Sequence, residues 1–397
     1  MKRETSPTVG TRGFKRVEET VLARLPRPRS ETHTRIGVVS DPHVATESHG
    51  TPKMFHTTEE LLKTAVSRLN EAEPQPDFVL FNGDLTKDGE PWNFGRFDEI
   101  VDGLVPPYAA TPGNHDVPKQ WDEHDTPSFK GFVSRYASDS YPFVRGVGGV
   151  DLIVLNTATV PDNSLSGVHK GAVSREQMLW MKDNLGDFDN PVVAFHHTVR
   201  PVTPEDQRGE REKRLYNLRN HDGVIRVLKR NGVPLVVSGH HHVPAAVRYG
   251  DVTQLVAPAV CAYPQSHLLL DVDKQGTTIR LVPDADEGRQ REAYEALALG
   301  SEPHGNLLRT AEKTLSEAPV INELEQPGVG KSGAYRTEWV PRLLVPVLRG
   351  VYQRHRTKVR LDYHKDFRIL TSIIEHNAEK MGTNRRDLSG VWLDEDI

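Results

Sequence analysis

Ile36-Gly37-Val38-Val39-Ser40-Asp41-Pro42-His43 is a short apolar run that breaks into an acid, a proline and an imidazole. Such a run reads as a strand buried on both faces and feeding a loop. The same punctuation recurs downstream. Phe78-Val79-Leu80-Phe81 ends in Asn82-Gly83-Asp84. Tyr108-Ala109-Ala110-Thr111 ends in Pro112-Gly113-Asn114-His115-Asp116. Between the first two runs, Leu61, Leu62, Ala65, Val66 and Leu69 stand at helical spacing within residues 57–71, with Thr57 or Thr58 as the expected N-cap. A second helix is expected over about residues 92–101. The alternation of strand and helix predicts an α/β fold, whose ligand sites lie beyond the C-terminal ends of the strands.

The pattern continues through the middle of the chain. A strand at 152–155 and a helix at 174–185, with Met178, Leu179 and Met181 for its buried face, lead to Val192-Val193-Ala194-Phe195. That run ends in His196-His197. A helix over 223–229 then leads to Leu235-Val236-Val237, which ends in Ser238-Gly239-His240-His241-His242. Runs at 245–249, 253–256, 267–272 and 277–282 are separated by Gly, Asp and Pro and read as antiparallel strands.

Five strand ends thus deliver Asp41 and His43, Asp84, Asn114 and His115, His196, and His240 and His242. Carboxylates and imidazoles converging on one edge would be costly without cations to compensate them. Mixed Asp, Asn and His donors suit Mn, Fe, Zn or similar divalent ions. A carboxylate flanked by two donor sets suits a pair of metals about 3.5–4 Å apart. Gly83, Gly113 and Gly239 beside the donors let the backbone turn tightly and approach the cluster.

Asp-x-His, Gly-Asp, Gly-Asn-His-Asp, a His after an apolar strand and Gly-His-x-His, in this order over residues 36–282, resemble the calcineurin-like metallophosphoesterase superfamily. The resemblance implies a four-layer αββα sandwich of two mixed β-sheets flanked by helices. It implies that Asp41, His43 and His242 hold one metal, Asn114, His196 and His240 a second, and that Asp84 bridges both. His115 would face the phosphate rather than a metal, and Asp84 and His115 are the expected catalytic residues. His196 rather than His197 would be the ligand, and His241 would point away. The implied reaction is hydrolysis of a phosphodiester or phosphomonoester, through in-line attack by a metal-bridging hydroxide.

Departures from the pattern narrow the branch. Lys87 stands where purple acid phosphatases place a tyrosine ligand. The run Gly83-Asp84-Leu85-Thr86-Lys87-Asp88-Gly89 lacks the Asp-Arg-Gly of protein Ser/Thr phosphatases. His115 replaces the Cys of small bacterial phosphodiesterases. What remains looks most like the cyclic-nucleotide and glycerophosphodiester phosphodiesterase branch, although Thr198 replaces its usual proline. The expected partner is a small phosphoester substrate such as a nucleotide. Alternatives are a metal-dependent nuclease, or an interaction module that kept the fold without catalysis.

The remainder of the chain bounds these readings. With 50 Lys and Arg against 55 Asp and Glu, no global basic field exists for gripping nucleic acid. The single cysteine, Cys261, excludes an intramolecular disulfide and thiolate-built zinc sites and reads as a small core residue. No apolar stretch reaches about 18 residues, and the N-terminus lacks a signal-peptide core, so the expected location is cytoplasmic. Residues 1–34 read as a flexible arm, 35–283 as the catalytic domain, 284–335 as a linker and 336–397 as a helical extension. Gly328-Val329-Gly330-Lys331-Ser332 is not a phosphate loop, because Glu325 stands where the motif needs glycine. Basic residues from Arg342 to Arg360 read as the solvated face of a helix, with nucleic-acid binding as the alternative. Of the 18 histidines, His124, His169, His221 and His267 are secondary candidates for lining the pocket. Arg200, Arg208 and Arg211 are candidates for recognising an anion.

Overall fold

The computed structural model describes residues 14–47, 53–118, 124–137, 140–158, 171–200, 202, 217–299 and 321–322. The expected C-terminal helices, the 328–332 run, the basic residues from Arg342 onward, His169, Arg208 and Arg211 lie outside them. In chain order the elements are β1 Thr20–Leu25, β2 Thr34–Val39, α1 Thr58–Glu71, β3 Phe78–Asn82, α2 Pro91–Val101, β4 Tyr108–Thr111 and α3 Phe129–Tyr136. There follow β5 Phe143–Val147, β6 Val150–Val154, α4 Arg175–Asn184, β7 Pro191–Ala194, α5 His221–Arg230 and β8 Leu235–Ser238. The last are β9 Ala245–Tyr249, β10 Val252–Val256, β11 Ser266–Asp273, β12 Gly276–Pro283, α6 Glu287–Leu299 and β13 Ile321–Asn322.

The strands form two mixed sheets. One has the order β1-β12-β11-β2-β3-β4 and the other β13-β9-β10-β8-β7-β6-β5. β2, β3 and β4 run parallel in the first, and β6, β7, β8 and β10 run parallel in the second. Alternate residues of these strands serve two cores, which explains their unbroken apolar runs. Ile36, Val38, Phe78 and Leu80 share one core with Leu152, Val154, Val192, Ala194, Leu235 and Val237 of the other sheet. Their neighbours point outward. Val39, Val79, Phe81 and Ala110 pack with Leu61, Leu62 and Leu69 of α1 and Phe94 and Phe97 of α2. Ile153, Val193 and Val236 pack with Met181 of α4 and Val224, Ile225 and Leu228 of α5. The result is the αββα layering implied by the sequence resemblance.

Local chemistry accounts for the helices. α1 carries Glu59 and Glu60 in its first turn and Arg68 in its last, which complements the helix dipole. Thr57 occupies the N-cap position without capping through its side chain; its hydroxyl donates back to the Met54 carbonyl at 3.0 Å. α2 starts on Pro91, whose missing N–H is one that no helix start can pair. Ser128 and Ser174 cap α3 and α4 by accepting from Gly131 N and Gln177 N, both at 3.2 Å.

Several expectations are corrected. Residues 20–25, read as part of a flexible arm, form β1 and pair antiparallel with β12. Residues 287–299, read as linker, form α6, with Ala293 and Tyr294 buried. On α4, Met181 is buried but Leu179 is 48% exposed, and the polar Gln177 turns inward to bond Asn156. β10 pairs antiparallel with β9 yet parallel with β8. Among the described residues no helix is long and apolar enough to cross a membrane.

An ionic cluster ties the first sheet together on the strands that return to it. Asp271 on β11 stands opposite Arg35 of β2. Arg35 Nε donates to Oδ1 at 2.6 Å, and Arg280 Nε to Oδ2 at 3.0 Å. Burial acts to raise the Asp271 pKa, but Arg35, Arg280 and His33 hold it below the ordinary 3.8. Stability from a depressed acid is present above its unfolded pKa and lost as pH falls through its folded value. Asp271→Asn is therefore expected to unfold at lower urea concentration than the unaltered chain at neutral pH. The gap should begin to narrow below pH 3.8 and close as pH falls through the lower folded value, and a gap that does not narrow with acid would refute the linkage.

Candidate metal centre

Both sheets contribute to one edge. The first supplies Asp41 and His43 after β2, Asp84 after β3 and Asn114 after β4; the second supplies His196 after β7, and His240 and His242 after β8. Polar bonds stitch the sheets together there. His196 Nδ1 lies 2.9 Å from the Asn82 carbonyl, and the His240 amide donates to the Asp41 carboxylate at 3.1 and 3.2 Å. Thr111 Oγ1 donates to the Leu155 carbonyl at 2.7 Å.

The donors fall into two groups that share one residue. Asp41, His43, Asp84 and His242 place one ligand atom each within 4.8 Å of one another, and Asp84, His196 and His240 do the same. Asp84 Oδ2 lies 3.4 Å from His43 Nε2 and 3.2 Å from His196 Nε2. His242 Nε2 lies 3.2 Å from Asp41 Oδ1, and His196 Nε2 lies 3.2 Å from His240 Nδ1. A carbonyl only accepts, so His196 carries a proton on Nδ1 and turns Nε2 toward Asp84.

Asp41 is 0% and Asp84 1% exposed, so water does not offset their charge. Burial would raise the Asp84 pKa, but His196, His115 and His43 hold it well below the carboxylate range. Burial would lower His196, but Asp84 and Asp41 raise it to about 9. Positive charge is thus drawn to the space beside Asp84. Burial depresses His43, His240 and His242, leaving them as the neutral imidazoles that metals require. The buried Asn114 Oδ1 has no hydrogen-bond donor among the described residues, and Asn114 lies between two residues that crowd Asp84. A hard cation suits that oxygen, and the donor set as a whole fits a divalent metal pair.

The backbone is bent to make this arrangement. Asp41, His43, Asp84, His240 and His242 all adopt left-handed φ values, from 45° to 68°. For residues with a Cβ this costs on the order of 1 kcal/mol each. Two glycines make room for the donors. Gly83 has φ +88°, and a Cβ there would strike the His196 ring. A Cβ on Gly113 would strike both the carboxylate and the backbone nitrogen of Asp84.

His115 sits at the rim, with its side chain 16% exposed. Its amide donates to Asp84 Oδ1 at 2.9 Å. Its Nδ1 lies 2.6 Å from the Lys87 carbonyl and 2.9 Å from Asp88 Oδ1, so Nε2 is left to face the site. The sequence reading missed Asp88, whose only signal was an acid four residues past Asp84. Burial would raise Asp88, but hydrogen bonds from His115 and Lys87 hold it below the usual range. Asp116 was also missed. Its carboxylate accepts from the amides of Leu85, Thr86 and Gly113 and from the Thr86 hydroxyl, at 2.9 to 3.2 Å. It thereby clamps the Asp84 loop to the Asn114 loop, and burial and Asp84 push its pKa up to about 7.

The remaining candidates stand apart from the two donor groups. His197 Nδ1 meets the Thr157 hydroxyl at 2.9 Å, and His241 is buried outside both groups. His221 pairs with Asp222 at 3.2 Å and His267 with Asp284 at 2.7 Å. His124 Nε2 reaches the Asp88 carbonyl at 3.0 Å, beside His115's partner. Arg200 is paired with Asp222 at 3.8 Å. Cys261 is fully buried as expected, yet its sulfur also lies within 4.8 Å of a nitrogen of His43 and one of His242.

Gly113→Ala tests the packing of this centre. The added Cβ meets Asp84 backbone, which cannot rotate away, at an overpacking cost of about 1–3 kcal/mol. The variant is expected to melt lower and to retain less manganese by elemental analysis. Full metal uptake at unchanged stability would show that the approach is not tight.

A family model described as Calcineurin-like phosphoesterase matches residues 34–244. The chain is 28% identical over 206 residues to a cAMP/cGMP dual specificity phosphodiesterase of Mycobacterium tuberculosis, covering 49% of this chain and 58% of that one. It is 28% identical over 213 residues to a serine/threonine-protein phosphatase of Danio rerio, covering 51% and 65%. It is 25% identical over 231 residues to a glycerophosphodiester phosphodiesterase of Enterobacter lignolyticus, covering 56% and 75%. The chain thus spans less than two thirds of the length of the first two. A solved purple acid phosphatase from yellow lupin seeds aligns at 13% identity with a TM-score of 0.45, covering 66% of this chain and 53% of that one. The family match takes in every strand end that carries a candidate donor and more than half of the residues, and the chain belongs to the calcineurin-like phosphoesterases, a family of metal-dependent phosphoester hydrolases.

Proposed function

We propose that this protein hydrolyses phosphodiester or phosphomonoester bonds of small molecules such as nucleotides, using two divalent ions of the Mn, Fe or Zn kind. The observation that carries the reading is Asp84, whose carboxylate belongs to both donor groups. In this assignment Asp41, His43 and His242 hold one ion, Asn114, His196 and His240 the other, and Asp84 spans the two. When bound, such ions supply Lewis acidity and lower the pKa of water to near neutrality. The chain supplies the rest. Backbone held in left-handed conformation aims the donors, and the inter-sheet bonds keep them in place. His115, oriented by Asp88 and the Lys87 carbonyl, presents Nε2 where it can stabilise the phosphoryl group or protonate the leaving oxygen.

The names of the relatives support small phosphodiesters as substrates, cyclic nucleotides and glycerophosphodiesters among them. The nuclease alternative relied on basic C-terminal helices that lie outside the described residues. A non-catalytic module would have little reason to keep every donor and to strain the backbone at five of them.

Hydrolysis of bis-p-nitrophenyl phosphate should require added manganese and disappear on chelation. Asp84→Ala and Asn114→Ala should each lose more than the roughly 10- to 100-fold that removing an outer support of a metal site costs. Full activity in both variants, or a rate indifferent to chelation, would exclude this assignment.

A further inference from the structure

Ser40 stands between the end of β2 and Asp41, and it is fully buried. Its hydroxyl donates to Asp41 Oδ2 at 2.5 Å; the Asn82 carbonyl, a second acceptor, is 3.3 Å away. A hydroxyl has one hydrogen, and the nearer oxygen takes it. The backbone around this pair is tied down. Ser40 forms a parallel bridge with Ala259, its carbonyl accepts from Val260 N at 3.1 Å, and the Asp41 amide donates to the Gly83 carbonyl at 3.1 Å.

The two oxygens of Asp41 therefore have different surroundings. Oδ2 accepts from the Ser40 hydroxyl and, at 3.1 Å, from the His240 amide. Oδ1 shares that amide at 3.2 Å and faces imidazole, with His242 Nε2 at 3.2 Å and His196 Nε2 at 3.9 Å. Asp84 shows a similar division: Oδ1 accepts from the His115 amide, and Oδ2 faces His43 and His196. On Asp84 the occupying donor is backbone. On Asp41 a side chain takes a large part of that task, and one substitution removes it. The last torsion of an aspartate is soft, so a fixed backbone does not by itself decide which oxygen enters the cluster. Gly239 leaves the room this pair needs, since a Cβ there would strike both Ser40 Oγ and Asp41 Oδ2.

We propose that Ser40 is a positioning residue for one of the two metal subsites: its hydroxyl holds Asp41 Oδ2, so that Oδ1 is the oxygen turned toward the ion assigned to Asp41, His43 and His242. This role rests on the metal-pair reading above and deepens it. Without the hydroxyl, the carboxylate turns more freely and that subsite alone loses affinity.

Manganese is the probe, titrated into the full chain and followed by the electron paramagnetic resonance of the free ion. In Ser40→Ala one of two bound ions should weaken about 10- to 100-fold, the usual cost of removing the partner that orients a metal ligand, while the other keeps its affinity. Thr111→Val is the control. Thr111 is also buried at the seam and gives its hydroxyl to the Leu155 carbonyl at 2.7 Å, but it bonds none of the proposed ligands. It should keep both ions at full affinity. Two unchanged ions in Ser40→Ala, both ions weakened alike, or an equal loss in Thr111→Val would overturn the role. If the unaltered chain binds fewer than two ions, the metal-pair reading fails and this role with it. If it binds two but hydrolyses no phosphoester, only the catalytic reading falls.

Discussion

Two carboxylates shut away from water govern this molecule. Asp41 and Asp84 lie at the seam of two sheets, almost fully buried and surrounded by imidazoles. Charge in such a place is unfavourable unless something positive sits beside it. The sheets are layered by ordinary hydrocarbon packing, but only at this edge does the packing give way to a cluster that needs compensation. The hydrogen bonds that cross the seam, the loop clamp at Asp116 and the close approach of Gly113 all serve to hold charged groups where unaided electrostatics would drive them apart.

The backbone explains the motif spacing. Asp41 and His43 are both left-handed, as are His240 and His242, and each pair is separated by one residue. Two left-handed residues flanking another sharpen the turn so that both side chains enter the cluster. The intervening residues, Pro42 and His241, join neither donor group. An Asp-x-His or His-x-His signature is thus the trace of a strained turn. Strain concentrated at five of the donors accords with a site whose surroundings dictate its geometry.

Much of this could be read beforehand. Short, unbroken apolar runs buried on both faces marked β2, β3, β7 and β8, because each stands in the middle of a sheet and needs hydrocarbon on either side. The polar residues at their ends marked the site for the same reason. What escaped reading depends on neighbours distant in sequence. β1 is a strand because β12 offers it an edge, more than 250 residues away. Leu179 is exposed because Gln177, tied to Asn156, takes the inward position. Asp88 and Asp116 matter through loops that meet only after the sheets have docked. No periodicity announces such residues.

The division of the donors between the sheets has a consequence for biogenesis. Asp41, His43, Asp84 and Asn114 lie in the first third of the chain, whereas His196, His240 and His242 come later, on a different sheet. β11 and β12 then return to complete the first sheet. A nascent polypeptide leaving the ribosome therefore exposes its early acids long before the imidazoles that enclose them have been synthesised. The centre cannot close until His242 has emerged, so it is incomplete while only the early strands of the first sheet exist.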